Sequence, residues 1–155
     1  MRRLSLVLCL FLVIALTVFG AHARCQQATE RKVGGTSMEP TISDGEVIHF
    51  SRYGDEGPQR GDIVFYHFPA DTKREFVHRI VGEPGETVEV RDGLVFIDGS
   101  PLEEPYITGS TQYSYGPEKI PAQSYFVLGD NRNNSYDSHV WGFVPRENII
   151  GRVNK

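Results

Sequence analysis

The sequence predicts a mostly β domain of antiparallel strands attached to one N-terminal transmembrane helix, and three observations carry that reading. After residue 24 the apolar residues alternate with polar ones in short stretches instead of recurring at helical spacing. Those stretches are rich in Val, Ile, Phe and Tyr and are bounded by Gly, Pro or Asp. Ahead of them, residues 4–20 (LSLVLCLFLVIALTVFG) carry no charge, and with Ala21 the run reaches about the length that a bilayer core requires.

Taken in order, Met1-Arg2-Arg3 and the apolar run over residues 1–23 read either as a retained signal anchor or as a secretory signal, with Ala21-His22-Ala23 as a small-x-small cleavage site. Both readings keep the arginines on the cytoplasmic side and export everything after residue 24. Residues 24–33 are polar without an apolar period and read as a juxtamembrane linker, which leaves residues 34–155 for the domain. Strands are expected at residues 46–51, 62–68, 75–81, 87–99 and 124–129. Within the fourth stretch Asp92-Gly93 signals a hairpin, because this pair accepts the positive φ angles of a type I′ turn, and Asp98-Gly99 marks a second reversal. The proline-bearing segment 101–123 reads as a long surface excursion. No helical period and no internal repeat follows residue 24.

A chain of 155 residues, 39% hydrophobic and 23% charged, has room for one compact domain. The net charge of −4 and the absence of any Lys/Arg run longer than two argue against a nucleic-acid partner. Cys9 and Cys25 lack metal-ligand spacing, so no metal site, and no cofactor, is expected.

Three stretches could carry chemistry. In EFVHRIVGEPGE (75–86) the strand alternation puts His78 on the face of Phe76 and Ile80, where the ordinary reading is a half-buried histidine bonded to a carbonyl. In GGTSMEPTI (34–42), Ser37 follows two glycines and precedes a proline that forbids regular helix. A serine on such a bend could be a nucleophile whose own backbone N–H serves as oxyanion donor, or simply part of a turn. The third, GDNRNNSYDSHVWGFVP (129–145), is dense in Asn, Asp and Ser, a composition that Asx-turns also produce.

Together, Ser37-Met38-Glu39-Pro40-Thr41, Arg60-Gly61-Asp62-Ile63-Val64, Phe76-Val77-His78-Arg79-Ile80-Val81-Gly82 with Pro84-Gly85, and Gly129-Asp130-Asn131-Arg132 through Gly142-Phe143-Val144-Pro145 closely resemble type I signal peptidase. The blocks stand in that family's order and span residues 33–145. The resemblance implies a serine endopeptidase that removes N-terminal signal peptides from preproteins after small-x-small sites, with Ser37 as nucleophile. It implies residues 1–23 as a retained anchor, exposed to self-cleavage at its own Ala21-His22-Ala23, and signal peptides and membrane lipid as partners. It also implies a monomer that spans the inner cell membrane once, N-terminus in the cytoplasm and catalytic domain on the outer face. The segment 86–128 is short for the family, which suggests a minimal member.

The main departure is His78, which stands where the bacterial enzymes carry a lysine base. Members of the endoplasmic reticulum and of archaea use histidine there, whereas the last block is of the bacterial and organellar type. The exchange is chemically workable, since a lysine must be desolvated from a pKa of about 10.4 toward 7 to 8, while an imidazole starts near 6.5. By the same resemblance Ser135 hydrogen-bonds the base, and Asp130 and Arg132 brace the loop around it. Asp137 is the other candidate orienter of His78, and His139 at a position often held by arginine leaves that aspartate freer to serve. Gly35 takes the place of a serine that supplies an oxyanion donor in some members, so the hole must rest on backbone N–H groups.

An extended signal peptide could add as a strand to an exposed edge, with Met38, Ile42, Phe76 and Ile80 as candidate pocket walls and the apolar residues near Met38 resting on the bilayer. Two other readings stay open. One is a homologue without catalysis that binds signal peptides or a membrane partner; the other is a maturation protease dedicated to one secretion system.

Overall fold

The computed structural model describes residues 29–155; the expected anchor at residues 1–23 and the first part of the linker lie outside the described residues. Among the described residues no helix is long and apolar enough to cross a membrane. The strands are β1 (Thr29–Lys32), β2 (Val47–Ser51), β3 (Ile63–Phe68), β4 (Asp71–Gly82), β5 (Thr87–Arg91), β6 (Leu94–Ile97), β7 (Ser100–Pro101), β8 (Tyr115–Lys119), β9 (Ser124–Leu128), β10 (Val144–Pro145) and β11 (Ile149–Val153). A 3₁₀ turn (Arg132–Asn134) and one α-helical turn, α1 (Ser138–Trp141), lie between β9 and β10. A seven-stranded sheet runs in the order β1-β2-β11-β3-β4-β9-β10, and a four-stranded sheet in the order β7-β6-β5-β8.

The alternation of the β3–β4 hairpin distributes the core. Antiparallel pairing sets Val64 opposite His78 and Tyr66 opposite Phe76, so these four side chains share one face. That face packs Val64, Tyr66 and Ile80 against Tyr125, Val127, Val144 and Ile149. On the other face Phe65 and Val77 join Met38, Ile42, Ile48, Phe50, Ile63 and Val153. A third cluster, in which Val81, Phe126 and Leu128 meet Val88, Val90, Val95, Ile97 and Ile120, joins the two sheets. The turn between β5 and β6 has φ of 52° at Asp92 and 79° at Gly93, the two positive angles that a type I′ turn demands.

Two segments differ from expectation. Residues 24–33 are not linker throughout: β1 pairs with β2 from Thr29↔Phe50 to Lys32↔Val47. All four β1 residues are exposed, so the backbone ladder, not an apolar face, makes this a strand. Nor is 101–123 a free excursion, because β8 pairs with β5 and closes the smaller sheet. The same segment reaches the 129–145 block, where Gln112 N–H donates to Asn133 Oδ1 at 2.8 Å and Asn133 Nδ2 donates to the Ser110 carbonyl at 3.0 Å.

Candidate active site

Ser37 sits in the loop between β1 and β2, and each end of that loop is fastened. The hairpin is prolonged past β1 by Val33 N–H to Glu46 O (2.8 Å) and Gly45 N–H to Val33 O (2.9 Å). Asp44 Oδ1 accepts from the Gly35 N–H at 2.7 Å, and Gly35 has a φ of 97° that favours glycine. Beyond Ser37 the Met38 side chain drops into the core at 1% exposure and anchors the bend.

The asparagine-rich block grips the serine from the other side. Asn131 N–H donates to the Ser37 carbonyl at 3.0 Å, Asn131 Nδ2 to the Thr36 carbonyl at 3.1 Å, and Asn134 Nδ2 to Thr36 Oγ1 at 2.7 Å. Gly129 permits this approach: a Cβ there would lie 2.4 Å from the Ser37 carbonyl oxygen and 2.3 Å from Ser135 Oγ. Asp130 ties the block to β4 by a two-pronged pair with Arg79 (2.9 and 2.7 Å), and Thr41 donates to the same carboxylate. Arg132 is buried and pairs with Glu104 through both terminal nitrogens, while its Nε donates to the Gly129 carbonyl at 3.1 Å.

His78 is 3% exposed, and burial pushes its pKa down to about 4; the charges of Asp137 and Asp130 offset only part of that. Its Nδ1 is 2.7 Å from Tyr66 Oη, and its Nε2 is 3.4 Å from Ser135 Oγ. Tyr66 is fully buried, and its phenol titrates well above the ordinary range because of burial and the Asp137 charge, so the hydroxyl keeps its proton. Ser37 and His78 line the same two recesses. One, of about 140 Å³, is walled by Val33, Phe65, Phe76 and Val77; the other, of about 550 Å³, opens between Gly34–Ser37 and Asn133–Tyr136. Among the described residues no hydrogen bond joins Ser37 Oγ to His78, although both line the same recess. The arrangement places a hydroxyl on a bend and a neutral imidazole in one cleft, the inventory of a nucleophile with its base.

A family model described as signal peptidase, peptidase S26, matches residues 3–155. The chain belongs to the signal peptidase family. Over 135 residues it is 48% identical to a signal peptidase I of Leptolyngbya laminosa, covering 81% of this chain and 66% of that protein. It is 43% identical over 157 residues to a probable signal peptidase I-2 of a Synechocystis species, covering 96% of this chain and 68% of that protein. The chain thus spans about two thirds of the length of these curated relatives. A crystal structure of a signal peptidase I from Enterococcus faecalis is 33% identical, with a TM-score of 0.54 over 67% of this chain and 100% of that one.

For this signal peptidase family member, the expected site residues sort unevenly. Ser37, His78 and Ser135 border one cleft, and Asp130 and Arg132 hold the loop that carries Ser135. No hydrogen bond joins Asp137 to His78. Its Oδ1 accepts from His139 Nδ1 at 2.7 Å and from the His139 N–H at 3.2 Å as the cap of α1, and its Oδ2 accepts from the Gly129 N–H at 2.9 Å. Far from freeing the aspartate, His139 occupies it. Burial would raise the Asp137 pKa, but the His139 hydrogen bond, the His78 charge, the Gly129 N–H and the Ser135 hydroxyl together hold it below the usual carboxylate value.

The expected pocket walls need a larger correction. Met38, Ile42 and Ile80 are core residues with 1%, 0% and 0% exposure, so they line no cleft. Phe76 alone of the four borders the recesses, and the walls that sequence reasoning missed are Val33, Phe65 and Val77. Tyr66, the partner of Nδ1, was missed too. Its signal was the strand register: a tyrosine on the face of Val64 in one strand of a hairpin falls beside a histidine on the matching face of the next.

Proposed function

We propose that this chain is itself a signal peptidase: a serine endopeptidase that removes N-terminal signal peptides from exported preproteins after small-x-small sites, with Ser37 as nucleophile and His78 as general base. The observation that carries this reading is the single cleft shared by Ser37, His78 and Ser135, in a chain that belongs to the signal peptidase family. In the reaction Ser37 Oγ attacks the scissile carbonyl while His78 Nε2 takes its proton, and the imidazolium then returns that proton to the leaving amine. The Ser37 N–H supplies the oxyanion contact. A signal peptide lies as an added strand along the cleft between Gly34–Ser37 and Phe76–His78, its small side chains entering the recess walled by Val33, Phe65 and Val77. The apolar run of residues 4–20 anchors the protein in the membrane, arginines in the cytoplasm and domain outside.

The test is cleavage of a precursor with an Ala-x-Ala site by the full-length protein in lipid. Cut preprotein with the native chain and none with Ser37→Ala is the expected result. Binding of the precursor without cleavage would favour a non-catalytic binder, and cleavage of one precursor among many would favour a dedicated maturation protease.

A further inference from the structure

The imidazole of His78 stands between two hydroxyls, and the buried one fixes the direction of its hydrogen bonding. At one end is the Tyr66 hydroxyl, fully buried, protonated, and bonded among the described residues only to His78 Nδ1 at 2.7 Å. A buried phenol always carries a proton to donate, and leaving that proton without an acceptor is costly. At the other end is Ser135 Oγ, 3.4 Å from His78 Nε2, a rotatable hydroxyl that can either donate or accept. The buried end therefore sets the direction: Tyr66 donates to Nδ1, and Nε2 carries the ring proton.

We propose that Tyr66 is the positioning residue of this site, and that by donating to Nδ1 it holds resting His78 in the tautomer with its proton on Nε2. This rests on the reading of His78 as base and deepens it. A base must present a lone pair to the Ser37 hydroxyl, and in the resting tautomer the nitrogen on the Ser135 side presents a proton instead. His78 is competent only in the other tautomer, with the single ring proton on Nδ1 and Tyr66 Oη turned from donor to acceptor. The net charge of the ring is unchanged between the two. The population of that minority form scales the observed rate, as for any enzyme whose competent state is partly populated. The groups against the ring are Tyr66 from β3, Phe76 on its own strand and Ser135 from the 129–145 block, and the charges that act on it are those of Asp137 and Asp130. None but Tyr66 reaches Nδ1.

The experiment is ¹⁵N NMR of the His78 ring in the full-length protein in micelles at neutral pH, beside Tyr66→Phe and Ser135→Ala. The expected native spectrum has Nδ1 in the unprotonated range and Nε2 in the protonated range, with the Nε2–H form exceeding the other by about tenfold, the bias that one unsatisfied buried hydroxyl provides. Ser135→Ala keeps that pattern, whereas Tyr66→Phe moves both nitrogens toward the average of the two tautomers. Native protein with its proton on Nδ1, or Tyr66→Phe with native shifts, overturns the proposal. The native spectrum decides the tautomer even if Tyr66→Phe does not fold. No turnover is needed, so a failure of the peptidase reading would show in cleavage assays and leave this result independent.

Discussion

Replacing Gly129 with alanine tests how closely the two halves of the site are fitted. The added Cβ would lie 2.4 Å from the Ser37 carbonyl oxygen, 2.3 Å from Ser135 Oγ and 2.7 Å from Ser135 Cβ, whereas ordinary contact begins at 3.4 Å. Close to 1 Å must therefore be found, and the Ser37 carbonyl cannot give it by turning a side chain because it is backbone held by Asn131. Either the Ser37 loop or the Ser135 loop moves. Overpacking of this kind costs about 1–3 kcal/mol in stability. Displacing a catalytic group by about 1 Å lowers turnover about 100-fold. The assay is precursor cleavage at saturating substrate, with the denaturant midpoint measured on the same preparation so that folded protein is compared with folded protein. Gly54→Ala is the control, since nothing lies within 4 Å of its Cβ position. Gly129→Ala with native turnover would refute the claim that this glycine sets the distance between the nucleophile's loop and the base's neighbour.

Two further outcomes follow from buried charge. His78 titrates near 4 when folded against an ordinary value of 6.5, so the unfolded chain binds the proton more tightly. That contribution to stability is complete above pH 6.5 and is lost as pH falls toward 4, to the extent of about 3 kcal/mol; denaturant midpoints across this window should fall more steeply for the native chain than for His78→Ala. Glu104→Gln leaves the buried Arg132 guanidinium without its counter-charge and is expected to cost about 3–5 kcal/mol, measured by equilibrium unfolding.

What the sequence revealed follows physical lines. The strands with an apolar face, such as β3, β4 and β9, were legible because burial imposes alternation on them. β1 and β8 were not, because TERK and YGPEK are almost wholly exposed and owe their conformation to pairing with β2 and β5. At the site, Ser37 and His78 could be singled out by local pattern and family resemblance. The roles around them depended on three-dimensional placement that no local pattern encodes. Met38, Ile42 and Ile80 were apolar residues near the site, which fits a pocket wall and a core equally well, and they went to the core. In the sequence Asp137 reads as available because its partner position holds histidine, yet that histidine is close enough to bond it. The pKa of the base was another such quantity. An imidazole in isolation starts near 6.5, and only the completed burial beneath β3 and the 129–145 block takes it to about 4.

The most direct test of the account is the pH dependence of precursor cleavage by the full-length protein in lipid, measured beside His78→Ala and His78→Lys. With His78 as base, native turnover has an acid limb that inflects well below 6.5, toward the folded value of about 4, and His78→Ala removes the activity. Native-level cleavage by His78→Ala would contradict that role, and an inert native chain that gains activity as His78→Lys would mean that the histidine disarms the site.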